Sequence, residues 1–255
     1  MDVNPLRKIW DSGRAAVGTF ILSIRDIAIV EIAAAAGLDF VLFDLEHRAH
    51  NSETIHDQLQ VARLAGMAAL VGPAYVNHHA IGHALDLGAS GVVIPRVETA
   101  DDVAQSIQAV RYPPRGKRGR CGMAGHNLYS PRSMTEEMED YNRQIALLLK
   151  VESEAAIHRL EQLVEPEDVD GVMVGPADLS CDMGIPGQFN HERIEALIER
   201  VRLVCRERGI QYGKLVSSPD EVPAAVKEGA SWVIVGSEMD PLASSWKKAS
   251  QAISK

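Results

Sequence analysis

Two apolar runs in this chain end abruptly in carboxylates. One is Leu147-Leu148-Leu149-Lys150-Val151-Glu152, and the other leads from Val174 through Gly175-Pro176-Ala177 to Asp178. A buried strand carries Leu and Val at no cost, but a carboxylate at its end must be hydrated, paired or bound to a cation. Two such ends suggest a site made where parallel strands stop. Carboxylate oxygens suit a hard divalent cation, and Mg²⁺ often takes only one or two of them, leaving its other positions to water and substrate. Such an ion can hold a 2-oxo acid by its keto and carboxylate oxygens and stabilise the enolate that forms. The plainer alternative is that Glu152 and Asp178 cap helices or pair with a base. Strand alternation puts Lys150 on the same side as Glu152.

A second group is Asp44-Leu45-Glu46-His47. A His beside carboxylates can have its tautomer and basicity set by one of them, which suits a general base working near neutral pH. Against this stands a surface His at a helix start, in a motif short enough to arise by chance.

These residues need a scaffold. Apolar runs read as strands at 16–22, Asp39–Phe43, Met67–Val71, Gly91–Pro95, Ile145–Glu152, Gly171–Val174, Gln211–Val216 and Ser231–Val235. Helical patterns lie between them, with Ser52, Asn77 and Thr99 as N-caps and Gly37, Gly66, Gly88 and Gly209 as stops. A last amphipathic helix runs to Ile253. Eight β/α repeats in 255 residues, with no linker or low-complexity segment, predict an α/β fold with one domain over 1–255, a (β/α)8 TIM barrel. A doubly wound sheet is the alternative, but no Gly-rich fingerprint follows the first strand. In either fold the ligand site lies at the carboxyl ends of the strands, where Asp44, Glu46, His47, Arg96, Lys150, Glu152 and Asp178 all fall. The Gly-, Pro- and Arg-rich stretch Arg111–Pro131 reads as a functional or mobile loop. Its part Gly119–Asn127 is expected to cover the site, with His126 solvated. Ser133–Tyr141 reads as an extra helix and Gly175–Phe189 as a second loop. Lys214, Ser217 and Ser237 are candidates for an acceptor pocket. Cys181 has no evident base beside it and takes no nucleophilic role.

Several of these segments resemble one family. Phe43-Asp44-Leu45-Glu46-His47, Leu85-Asp86-Leu87-Gly88-Ala89, Ile94-Pro95 and Val97-Glu98-Thr99-Ala100 are similar to segments of the HpcH/HpaI aldolases. So are Arg111-Tyr112-Pro113-Pro114-Arg115-Gly116, Val151-Glu152-Ser153 and Val174-Gly175-Pro176-Ala177-Asp178-Leu179-Ser180. The resemblance runs from about Gly18 to Leu242. It implies a barrel of the phosphoenolpyruvate/pyruvate type acting as a class II aldolase on a 2-oxo acid and an aldehyde. The implied cofactor is a divalent metal, Mg²⁺ or Mn²⁺ with Co²⁺ as an alternative. The implied assembly is a homo-oligomer, a trimer or hexamer with the last helix exchanged between neighbours. By matching position Glu152 and Asp178 would hold the metal. His47 would be the base, assisted by Asp44. N–H groups near Ala177 and Asp178 would receive the substrate carboxylate, with Glu46 and Lys150 also in the binding set. Asp86 would match an acid that reaches a neighbouring subunit's site.

The chain departs from that family pattern at three places. Gly72 stands where the family has an Arg, Lys150 where it has a Gln, and Arg96 where it has an apolar residue. Loss of a transition-state donor costs on the order of 10²–10³ in rate, so Lys150 or Arg96 is expected to supply the lost charge. For Arg96 the alternative is a salt bridge to Glu98 or another loop acid. Lys150 has three readings: it holds the substrate carboxylate or enolate, it forms a Schiff base, or it pairs with Glu152 and displaces the metal. The leading function is therefore a metal-dependent carbon–carbon lyase cleaving or forming a 4-hydroxy-2-oxo acid. The others are a biosynthetic bond former, citrate-synthase-like or macrophomate-synthase-like, and a non-catalytic binding member.

Composition excludes other classes. A net charge of −9 without a basic run argues against nucleic acid, and no apolar run reaches membrane-span length. The N-terminus shows no secretory pattern. Three irregularly spaced cysteines fit a reducing cytoplasm better than a disulfide framework or zinc site.

Overall fold

The computed structural model describes residues 4–127, 129, 133–165 and 167–252. The expected helix end at Ile253 and the far end of the long loop at Pro131 lie outside the described residues. Eight parallel strands close into a barrel in sequence order: β1 (Ala16–Ile21), β2 (Phe40–Asp44), β3 (Ala68–Gly72), β4 (Gly91–Ile94), β5 (Ala146–Val151), β6 (Gly171–Val174), β7 (Gln211–Val216) and β8 (Trp232–Ser237). Every expected strand is present.

The strands' two faces form two apolar layers. Ala16, Phe40, Leu42, Leu70, Leu148, Met173, Trp232 and Ile234 fill the barrel interior, while their neighbours on each strand pack outward against the helices. The interior is therefore a packed core, and only the strand ends are open for chemistry.

A short helix that the apolar pattern alone does not announce closes the base. This is α1 (Pro5–Asp11), whose cap Asn4 accepts from Leu6 N–H and donates to the carbonyls of Ser90 and Gln144. Its Leu6, Ile9 and Trp10 pack against the interior core.

The helices that return the chain to the base are α2 (Ala28–Ala35), α3 (Ser52–Leu64), α4 (His78–Asp86) and α5 (Ala100–Val110). Asn51, Asn77 and Thr99 cap α3, α4 and α5; the cap of α3 is thus Asn51, one residue before the expected Ser52. After α6 (Met134–Gln144) come α7 (Glu154–His158), α8 (Leu160–Leu163), α9 (Pro176–Asp182), α10 (Glu192–Arg208), α11 (Val222–Lys227) and α12 (Met239–Ala252). The second loop is thus partly helical, because Pro176 presets the first turn of α9.

The long loop sits elsewhere than expected. It follows α5, so the barrel's order places its start at the base, beneath the N-terminal ends of the strands. Its described part is anchored there: Arg63 donates to the carbonyls of Gly125 and His126, and Tyr141 donates to His126. The described residues of this loop, Gly119–Asn127 among them, do not cover the mouth of their own barrel.

Candidate active site

The mouth is built from four strand ends. Asp44 closes β2, and its Oδ1 accepts from the N–H groups of Glu46 at 2.8 Å and His47 at 3.1 Å. This short polar turn sets Glu46 and His47 just past the strand. Lys150 lies on β5 on the inward face, in line with Ala146 and Leu148. Glu152 follows one residue beyond β5, and Asp178 stands in the first turn of α9. Arg96 comes two residues after β4 and is held at φ 50°, in the left-handed region that side-chain-bearing residues rarely adopt.

These residues make one connected set of charges. Glu46 Oε1 accepts from Arg96 Nε at 2.8 Å, while its Oε2 lies 3.5 Å from Lys150 Nζ. Lys150 Nζ lies 3.1 Å from Glu152 Oε1. The second oxygen of Glu152 accepts the Arg96 backbone N–H at 2.9 Å, and the Arg96 guanidinium reaches Asp178 Oδ1 at 2.7 Å. Burial pushes the Glu152 carboxyl above its ordinary pKa, against the opposing pull of Lys150 and the Arg96 N–H. Gly175 makes room for it, since a Cβ there would meet Glu152 Cγ at 2.7 Å.

Beside this set lies a cavity of about 20 Å³, lined by Phe20, Leu42, Asp44, Glu46, Gly72, Val93, Pro95 and Lys150. Gly72 pairs in register with Asp44. A Cβ there would meet only ordinary contacts, at 3.6 Å and beyond. Gly72 and Lys150, two of the residues that depart from the family pattern, therefore face one space.

The predicted residues are thus brought together, with several roles rearranged. The carboxylate beside the exposed His47 ring is Glu46, with His47 Nε2 3.5 Å from its Oε2, while the Asp44 carboxylate serves the turn. Arg96 pairs with Glu46 and Asp178, and Glu98 instead accepts from Ser153 Oγ at 2.7 Å. Ala177 is exposed in the first turn of α9, where N–H groups have no partner within the helix. Lys214 pairs with Glu228, beyond the end of α11 at the base, so it lines no acceptor pocket. Ser217 is exposed, and Ser237 is engaged by Asp240. His126 is buried rather than solvated, 3.3 Å from Glu137. Asp86 ends α4 at the base and is paired there with Arg118. Glu238, which the sequence reading missed, is buried after β8 and accepts from the N–H groups of Leu22, Ser23 and Ile24. An acid after an apolar strand was its signal, the same one that marks Glu152.

A divalent ion at the expected place needs oxygens of Glu152 and Asp178. Both Glu152 oxygens already accept N–H donors, and Asp178 holds the Arg96 guanidinium. This donor set is matched to the chain's own ammonium and guanidinium, and it does not fit a divalent ion while they stay.

A sequence model of the HpcH/HpaI aldolase/citrate lyase family matches residues 17–244. The chain is 32% identical over 233 residues to the 2-keto-3-deoxy-L-rhamnonate aldolase of Escherichia coli O17:K52:H18, covering 91% of this chain and 86% of that one. It is also 32% identical over 240 residues to the 4-hydroxy-2-oxo-heptane-1,7-dioate aldolase of Escherichia coli ATCC 8739, covering 94% and 91%. Among solved structures, the HpcH/HpaI aldolase of Desulfitobacterium hafniense DCB-2 superposes with a TM-score of 0.94 at 29% identity, covering 98% of this chain and 96% of that one.

Proposed function

The chain is a carbon–carbon lyase of the HpcH/HpaI aldolase/citrate lyase family, and we propose that it cleaves a 4-hydroxy-2-oxo acid to pyruvate or a close 2-oxo acid and an aldehyde, or runs the reverse addition. The observation that carries this reading is the set Glu46–Lys150–Glu152–Arg96–Asp178 at the barrel mouth, with His47 at its edge.

The substrate carboxylate is received by the first-turn N–H groups of Ala177 and Asp178 and by Arg96. The keto oxygen faces Lys150 Nζ. His47 takes the proton of the 4-hydroxyl, the C3–C4 bond breaks, and its electron pair becomes the enolate across C2 and C3. The aldehyde leaves, and the His47 imidazolium returns its proton to C3 to give the 2-oxo acid. Glu46 lies beside the His47 ring, its Oε2 3.5 Å from Nε2. Low polarity on one wall of the cavity, from Phe20, Leu42, Val93 and Pro95, strengthens the attraction between Lys150 and the enolate oxygen.

Assembly as a homo-oligomer, a trimer or hexamer, belongs to the same proposal. Its support is that α12 contributes no buried residue, with Trp246 67% exposed, and that Ile32 of α2 is 61% exposed. Exchange of α12 with a neighbour would cover such faces. The proposed setting is a reducing cytoplasm, in keeping with the unpaired Cys121, Cys181 and Cys205. No helix of the described residues is long and apolar enough to cross a membrane.

The test is proton exchange. Incubated with pyruvate in D₂O, with chelator or with added Mg²⁺ or Mn²⁺, the protein is expected to exchange the methyl protons, followed by NMR. His47→Ala should slow exchange by about 10²-fold or more, the usual contribution of a general base. Failure to exchange pyruvate or any small 2-oxo acid under every condition overturns the proposal.

A further inference from the structure

We infer that the electrophile of this site is part of the chain, with the Lys150 ammonium and the Arg96 guanidinium standing between Glu46, Glu152 and Asp178 in the place of a divalent ion. The inference rests on the reaction proposed above and says what stabilises its enolate.

Three observations carry it. The first is occupancy. Lys150 Nζ bridges Glu152 and Glu46 at 3.1 and 3.5 Å, and the Arg96 guanidinium bridges Glu46 and Asp178 at 2.8 and 2.7 Å. With the Arg96 N–H on Glu152 at 2.9 Å, each of the three carboxylates is met by a donor from this chain. An ion bound to Glu152 Oε1 would lie within a few ångströms of the ammonium, and like charges so close repel strongly.

The second is construction. Arg96 is held at φ 50°, a conformation that costs a residue with a Cβ. Its N–H is anchored on the buried Glu152 while its fork spans two more acids. A residue held this way by three partners is placed, and backbone strain of this kind gathers at functional sites.

The third is access. Lys150 lines the cavity whose other walls are largely apolar, and Arg96, next in the chain to the lining Pro95, is 56% exposed. The ammonium thus sits where an enolate oxygen could enter, while the guanidinium can turn from Asp178 to an incoming carboxylate. Both actions are hydrogen bonds from existing N–H donors, and no covalent step is needed.

The experiment is a Mn²⁺ titration of chelator-treated full-length protein followed by electron paramagnetic resonance, beside the exchange assay. Wild type is expected to show no saturable binding below about 1 mM Mn²⁺ at this site. Lys150→Gln is expected to bind at least about 10²-fold more tightly, because a repelling charge has been removed from beside the ion. Glu152→Gln identifies the site. Wild-type binding of one Mn²⁺ that Glu152→Gln abolishes overturns the inference, and this result does not depend on whether Lys150→Gln folds. Pyruvate exchange by wild type that survives chelator supports it. Exchange lost on chelation and restored by Mn²⁺ overturns it while leaving the proposed reaction standing. Absence of exchange under all conditions brings down the reaction, and the titration still reads the metal question by itself.

Discussion

The two ends of this barrel carry ion-pair clusters of similar chemistry and opposite character. At the mouth stand Glu46, Arg96, Lys150, Glu152 and Asp178. At the base stand Asp86, Arg118, Arg120, His126 and Glu137, packed with Tyr112 and Tyr141. The base cluster is sealed at its centre, with side-chain exposures of 1% for Arg118 and 2% for both His126 and Glu137, while Asp86 and Arg120 at its edge are 32% and 23% exposed. Arg118 also lies 4.7 Å from the centre of the Tyr112 ring, and His126 packs edge-on against Tyr141. At the mouth Glu152 and Glu46 are 4% and 11% exposed, and the other three are more open, at 56% for Arg96, 35% for Asp178 and 18% for Lys150. No ring is recorded over either mouth cation among the described residues. The difference separates duties. A buried cluster cannot give up a partner without leaving a charge stranded, whereas a half-exposed one can exchange an internal carboxylate for a substrate's.

The largest expected effect follows from the sealed end. Glu137 accepts from Arg120 at 2.8 Å, Asn127 at 3.1 Å and His126 at 3.3 Å. Glu137→Ala should therefore lower the free energy of unfolding by about 3–5 kcal/mol, the usual result of removing one partner from a buried pair. Asp178→Asn at the mouth should cost no more than about 1 kcal/mol. Urea unfolding measures both, and an equal loss at the two positions would break the distinction.

A smaller effect comes from pH. Burial, and then the neighbouring Arg118, lower the His126 pKa below its ordinary 6.5. The unfolded imidazole thus takes up its proton first as pH falls, and the unfolded state binds more protons in that window. Stability is then fully present above the ordinary value and declines as pH drops below it toward the depressed folded value. Glu137 adds a loss at lower pH. Burial raises its pKa, but hydrogen bonds from Arg120, Asn127 and His126 together more than offset this and leave it lowered. Melting temperature followed between about pH 7.5 and 5 should fall more steeply in wild type than in His126→Gln. Parallel curves would remove His126 from the account.

How much of this was legible in sequence depended on the range of the forces involved. The barrel followed from alternating apolar runs, a local signal, and Lys150 and Glu152 fell on one side because a strand's period is two. The helix cap formed by Asn4 and Pro5 was also a local signal, but it preceded the first strand and went unused. Arg96 was harder. Its choice of Glu46 and Asp178 over Glu98 depends on the left-handed turn at 96 and on three other strand ends. The long loop misled because its Gly, Pro and Arg content suggests freedom. Its place after a helix already assigned it to the base, and the burial of His126 needs Glu137 and Tyr141 from α6, which composition does not reveal.

The smallest and sharpest test sits at Arg96. Glycine adopts φ 50° without the steric cost, about 1 kcal/mol, that an L side chain pays there. Arg96→Gly keeps the N–H that Glu152 accepts, and it loses two exposed ion pairs worth about 0–1 kcal/mol each. Glycine's greater freedom in the unfolded chain takes back about 0.5–1 kcal/mol. Together these terms leave stability between about 0.5 kcal/mol above and about 2 kcal/mol below wild type. Pyruvate exchange should fall by about 10-fold or more, because the carboxylate's guanidinium partner is gone. Arg96→Lys separates charge from geometry: it keeps the strain and one positive charge but loses the fork, so it should recover only part of the exchange. If Arg96→Gly instead lost several kcal/mol with exchange intact, the mouth would be built like the base, for stability, and its cations would have no claim to the chemistry.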